Sequence, residues 1–139
     1  MYGRKKTGHT SPVVVHFHGG AFMSGDLDNG CTVASLLESA GAVVVSVAYP
    51  LTPFPQPVDT GYGVLKWVHK HRTKLGGQGA AVYLAGEEAG GNLAAAVALM
   101  ARDQSHPPLA GQILLSPMLD PCVGTCLLYT SDAADDSLR

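Results

Sequence analysis

Two glycine-rich segments of this 139-residue chain hold the residues whose types and spacing could do chemistry. The first, Phe17-His18-Gly19-Gly20-Ala21-Phe22, follows a run of valines. Its glycines put no side chain between backbone and ligand, so their amides can face a crevice. Amides so placed hold the negative oxygen that develops in acyl transfer, a contribution of about 2.7–4 kcal/mol per donor. The second, Gly86-Glu87-Glu88-Ala89-Gly90-Gly91-Asn92, is a small-residue turn between an apolar run and a helical pattern. It has the form of a nucleophile elbow, which thrusts one side chain above a sheet while the next amide faces the same crevice. Glu88 occupies the tip, and Gly86 and Gly90 support the turn. A carboxylate there can act as a nucleophile through an ester intermediate. The simpler reading is that Glu87 and Glu88 sit well at a helix N-terminus, where negative charge gains about 0.3–1 kcal/mol.

Other chemistries find less support. Gly86 to Gly91 spaces as GxxxGG, neither GxGxxG nor a P-loop, and its two acidic residues repel phosphate. His16 and His18 form an HxH pair, but no carboxylate or His-rich partner motif accompanies them, so no metal is expected. Cys31, Cys122 and Cys126 fall in no zinc or disulfide spacing and read as free thiols of a reducing, cytoplasmic compartment. The net charge is −2, and the short Arg4-Lys5-Lys6 run is a solvated terminus, which leaves no basic face for nucleic acid. No stretch reaches the roughly 18 apolar residues of a membrane span, and the first residues lack a signal-peptide core. Oligomeric state leaves no trace in the sequence.

These segments need elements to hold them. With 46% hydrophobic and 14% charged residues, the chain can bury one modest core. Pro12 to Phe17, Ala42 to Ala48, Ala81 to Ala85 and Gln112 to Ser116 read as four strands. Between the first two, Asp28 or Asn29 is expected to cap a helix with Val33, Leu36, Leu37 and Ala40 on one face and Gly41 as its stop. Four prolines make residues 49–57 an irregular loop. Val58, Tyr62, Leu65 and Val68 then carry a helix to about His71, despite Gly61 and Gly63. Leu93, Val97 and Met100 mark a third helix, closed by Pro107-Pro108. Unbroken apolar strands alternating with helices predict an α/β fold, a mostly parallel sheet with helices on both faces. In such sheets ligands bind at the carboxyl ends of the strands, where both glycine-rich segments fall.

The combination resembles the hormone-sensitive lipase class of α/β-hydrolases, also called α/β-hydrolase fold-3. From Pro12 to Pro121, HGGAF resembles the class's HGGGF motif, Tyr49-Pro50-Leu51-Thr52-Pro53-Phe54-Pro55 its Tyr-Arg-Leu-Ala-Pro loop, and LAGEEAGGNLAA its GDSAGGNLAA elbow. The resemblance implies the central portion of an α/β-hydrolase fold over residues 1–124, acting on small carboxylic esters without a cofactor. It implies an oxyanion hole at Gly19, Gly20, Ala21 and Ala89, with Gly20, Ala21 and Ala89 as amide donors and His18 and Gly19 shaping the loop. Plant gibberellin receptors of this class lost a triad member and bind a small molecule instead.

This chain departs from the pattern at the tip, where Glu88 replaces the nucleophilic Ser and removes serine-type acyl transfer. Glu is also one methylene longer than the Asp nucleophiles of epoxide hydrolases, and a displacement of about 1 Å can cost roughly 100-fold. The class places its triad acid and His after later strands, so Asp120 reads as structural. The proline loop is about two residues shorter than usual. Thr125 to Asp136 resembles the conceptual translation of a transposase sequencing adapter, so residues 125–139 are expected to be a non-native tail. Four strands alone are expected to expose two sheet edges.

Overall fold

The computed structural model describes residues 1–120. Cys122, Cys126 and the expected tail at 125–139 lie outside the described residues. Four strands, β1 (Val13–Phe17), β2 (Val43–Val47), β3 (Val82–Glu87) and β4 (Gly111–Leu115), form one parallel sheet in the order β2-β1-β3-β4. Helices α1 (Cys31–Ser39), α2 (Gln56–Gly76) and α3 (Ala89–Asp103) alternate with them.

Alternation along the central strand decides which helix lies on which face. Val13, Val15 and Phe17 pack with Leu65 and Val68 of α2 and Leu93 and Val97 of α3. Val14 faces the other way and joins Val44, Ala85 and Ala34 of α1. The whole of β1 is buried because helices cover both its faces, which is why its sequence is a continuous apolar run. Each fully buried valine or leucine stabilises this arrangement by about 1.5–3 kcal/mol relative to exposure.

From β1 the chain moves outward to β2, then crosses back over β1 to reach β3 on the other side. The order reverses between β1 and β3, so the loops after these two strands diverge and leave a crevice at their carboxyl ends. Both glycine-rich segments open into it.

Three expectations need correction at the helix ends. Helix α1 starts at Cys31 with Gly30 as its N-cap, not Asp28 or Asn29. The Asn29 side chain is engaged in the preceding loop, its Oδ1 accepting from the Asp26 amide at 2.9 Å, and the Asp28 backbone belongs to the same turn, its amide donating to Asp26 Oδ1 at 2.9 Å. Helix α2 starts at Gln56, inside the proline-rich stretch, because Pro57 falls in its first turn, where a missing amide costs nothing. It also runs past His71 to Gly76. Gly61 belongs in it for a packing reason: a Cβ there would stand 2.9 Å from Val97 Cγ2 and 3.0 Å from Phe17 Cε1, so glycine lets α2 lie close on the core. The β2 edge is not fully open either, since Tyr2 pairs antiparallel with Val44 through bonds of 2.8 and 2.9 Å.

Candidate active site

Glu88 stands between β3 and α3 with φ 51° and ψ −117°, a backbone conformation that L-residues rarely adopt. Such strain costs on the order of 1–3 kcal/mol and persists only where neighbours enforce it. The exit of β4 does so. The Glu88 amide donates to Leu115 O at 3.0 Å, and its carbonyl accepts from the amides of Met118 at 3.0 Å and Asn92 at 3.2 Å. The Asn92 side chain adds a bond to Met118 O at 2.7 Å. Gly90 sets the approach to β1: a Cβ there would stand 2.1 Å from Phe17 O and 2.5 Å from His18 O. Gly86 is equally tight against Gly90, with 2.1 Å to its carbonyl. The two segments read from the sequence are therefore in backbone contact.

The loop after β1 is held peptide by peptide. The His18 carbonyl accepts from Tyr49 Oη–H at 2.6 Å, while the amide of the same peptide unit, on Gly19, donates to Glu87 Oε1 at 3.3 Å. In the next unit the Gly19 carbonyl accepts from His18 Nδ1–H at 2.7 Å. A peptide is planar and trans, so pinning that carbonyl aims the Gly20 amide the opposite way, away from the His18 ring. Gly20 has φ 123°, and a Cβ on it would meet Ser24 O at 2.0 Å, so only glycine fits this turn. Among the described residues, the amides of Gly20, Ala21 and Ala89 meet no acceptor. Gly19, by contrast, is a support whose amide is already engaged.

The two carboxylates behave differently. Glu88 is exposed, makes no cap hydrogen bond, and leans on the loop, its Oε2 3.2 Å from where a Cβ on Gly19 would stand. Glu87 ends β3 and is turned inward, with Oε2 2.7 Å from Nε2 of the fully buried His16. Glu87, just ahead of α3, thus has specific partners beyond the helix end, a buried imidazole and the Gly19 amide. Tyr49 is stacked on His18 with ring centroids 4.4 Å apart, and its hydroxyl pKa is pushed up to about 12 by burial, then by the charges of Glu87 and Glu88. It stays a hydrogen-bond donor across the neutral range.

The HxH pair is not one site. His16 lies between Glu87 and Ser46, whereas His18, beyond the strand end, serves the Gly19 carbonyl. Among the described residues no three His, Cys, Asp or Glu side chains converge as a metal site. Asp120 lies exposed beyond β4. Sequence reasoning gave no individual site role to Tyr49, His16 or Ser46. A signal existed for two of them: His16 and Ser46 are polar residues paired in register in two otherwise apolar strands.

Beside the elbow, a cavity of about 270 Å³ is lined largely by Phe22, Pro53, Phe54, Pro57, Val58 and Leu93. A larger hollow of about 360 Å³ along residues 5–10 lies at the amino end of the sheet, away from this chemistry. No helix among the described residues is long and apolar enough to cross a membrane.

Residues 14–136 match the α/β-hydrolase fold family. Carboxylesterase NlhH of Mycobacterium tuberculosis is 42% identical over 110 residues, which is 76% of this chain and 34% of that protein. Gibberellin receptor GID1C of Arabidopsis thaliana is 38% identical over 120 residues, 80% of this chain and 34% of the receptor. Among solved structures, the hyperthermophilic esterase from the archaeon Pyrobaculum calidifontis superimposes with a TM-score of 0.73 at 41% identity, over 81% of this chain and 38% of the esterase. The chain spans about a third of the length of the curated relatives it matches.

Proposed function

The chain belongs to the α/β-hydrolase fold family, and from that premise we propose that the whole protein is of the carboxylic ester hydrolase type, in the hormone-sensitive lipase class, with Glu88 standing where the nucleophile belongs and no serine-type turnover in this chain. The observation that carries this reading is the strained backbone of Glu88, next to three amides without acceptors. Strain of this kind is retained where a side chain must be presented above a sheet. The amides of Gly20, Ala21 and Ala89 suit the carbonyl oxygen of a small ester, and the apolar cavity beside them suits its hydrocarbon part. Glu88 supplies no hydroxyl, and its negative charge against Gly19 opposes a second negative charge in the same crevice.

A second reading, a non-catalytic relative that binds a small molecule in the crevice, draws support from the similarity to a gibberellin receptor. A third keeps Glu88 as a carboxylate nucleophile. The test is recovery of the complete reading frame, followed by assay of the purified product and its Glu88→Ser and Glu88→Ala variants on short acyl esters and epoxides. The leading reading expects an inactive parent and ester hydrolysis in Glu88→Ser. Turnover in the parent that Glu88→Ala abolishes establishes the carboxylate nucleophile instead. An inactive Glu88→Ser that still binds apolar ligands in the crevice establishes the binding protein.

A further inference from the structure

We propose that His16 is a positioning residue of the crevice, acting on the Gly19 peptide through Glu87. The geometry stands on its own, and only its consequence for ligands rests on the function proposed above. The imidazole is fully buried, with Nε2 2.7 Å from Glu87 Oε2 and Nδ1 3.2 Å from Ser46 Oγ. A carboxylate only accepts, so Nε2 carries the proton that it donates. In the neutral ring Nδ1 then accepts from the Ser46 hydroxyl. The N-cap of α1 closes on one edge of the ring: a Cβ on Gly30 would stand 2.6 Å from His16 Cε1, so only glycine leaves the imidazole its place.

Glu87 is thereby fixed at one oxygen, and its other oxygen, Oε1, takes the Gly19 amide at 3.3 Å. Without His16, the carboxylate has no second tether and turns toward water, since its side chain is already 17% exposed. The Gly19 amide then loses its acceptor, and the 18–19 peptide is held only by Tyr49 on its carbonyl. The two peptides share the Gly19 Cα, so movement of the first shifts the second against its one remaining tether, His18 Nδ1 on the Gly19 carbonyl at 2.7 Å, and loosens the aim of the Gly20 amide. A polar residue packed against the start of α1 thus bears on the amides of the loop after β1. This gives the first histidine of the HxH pair a role that neither a metal nor a core histidine explains.

The test uses the 139-residue chain, labelled with ¹⁵N. In the unmodified protein, long-range proton–nitrogen spectra are expected to report His16 protonated at Nε2; an unprotonated Nε2 overturns the proposal whatever the variants do. In His16→Phe, which keeps a buried ring, exchange of the Gly19 amide is expected to quicken about tenfold, as loss of a bond to a charged acceptor implies. The amides of Val13 and Val15 on the same strand should keep their rates. In Glu87→Gln the side-chain oxygen can accept from the Gly19 amide and the NH2 can donate to His16 Nε2 once the ring proton moves to Nδ1 and is donated to Ser46 Oγ, so this variant is expected to restore slow exchange that Glu87→Ala loses. Unchanged Gly19 exchange in His16→Phe, or loss in Glu87→Gln equal to that in Glu87→Ala, overturns it. None of these readouts depends on turnover, so they fail separately from the proposed function.

Discussion

Replacing Gly90 by alanine sets two effects of known sign against each other. Within a helix Ala is favoured over Gly by up to about 1 kcal/mol, an upper bound for the first-turn position of Gly90, so propensity alone predicts a more stable protein. The new methyl, however, would stand 2.1 Å from Phe17 O and 2.5 Å from His18 O, where real Cβ contacts essentially never fall below 3.0 Å. The start of α3 must therefore retreat from the end of β1 by roughly 1 Å, and neither backbone carbonyl can rotate aside as a flexible side chain would. Overpacking of a close-packed interior costs about 1–3 kcal/mol and more when backbone must move. Taking the upper end and subtracting the helix gain leaves a net loss of about 2 kcal/mol. For a chain of this length that is a fall in melting temperature of roughly 6–10 °C. Gly63, exposed in α2 with nothing within 4 Å of its virtual Cβ, is the control. There the propensity term acts alone, and alanine should raise stability by about 0.5–1 kcal/mol. Thermal and urea unfolding of the two variants reads both. A Gly90→Ala protein as stable as the parent, or Gly63→Ala less stable, would refute the contact argument.

Two further outcomes follow from the crevice. Tyr49 has a folded-state pKa of about 12 against an ordinary 10.0, so the folded protein holds that proton more tightly than the unfolded chain does. Its contribution is intact below pH 10 and is lost as pH rises through 12, about 3 kcal/mol in all at 1.36 kcal/mol per unit; urea titrations at stepped pH should show this limb in the parent and not in Tyr49→Phe, which is weaker near neutrality for want of the bond to His18 O. Glu88→Gly should relieve the strain at φ 51° and raise stability by about 1–2 kcal/mol, measured by unfolding; no gain means that the elbow is unstrained.

The sequence by itself determined the four strands and the parallel, doubly covered character of their sheet. Valine-rich runs broken by glycine and proline specify buried parallel strands, and the β1 run is buried along its whole length. The HGG segment and the GEEAGG turn, each weak alone, together announced a crevice because both fall at the carboxyl ends of strands, where open α/β sheets bind ligands. Those signals are local, legible from a residue and its near neighbours. Helix starts were less legible, since Asp28, Asn29 and Pro57 have chemistries that suit more than one role and loop bonds decided between them. Only the tertiary structure decided which carboxylate supports the crevice and which enters it. Glu87 and Glu88 are adjacent and chemically identical, yet the pleat of β3 turns one inward to His16, 71 residues away, and the elbow lifts the other into solvent. The bond from Tyr49 to His18 spans 31 residues and that from Gly19 to Glu87 spans 68. Pairings at such separations depend on where the strand order reverses, and no residue's type or spacing states that.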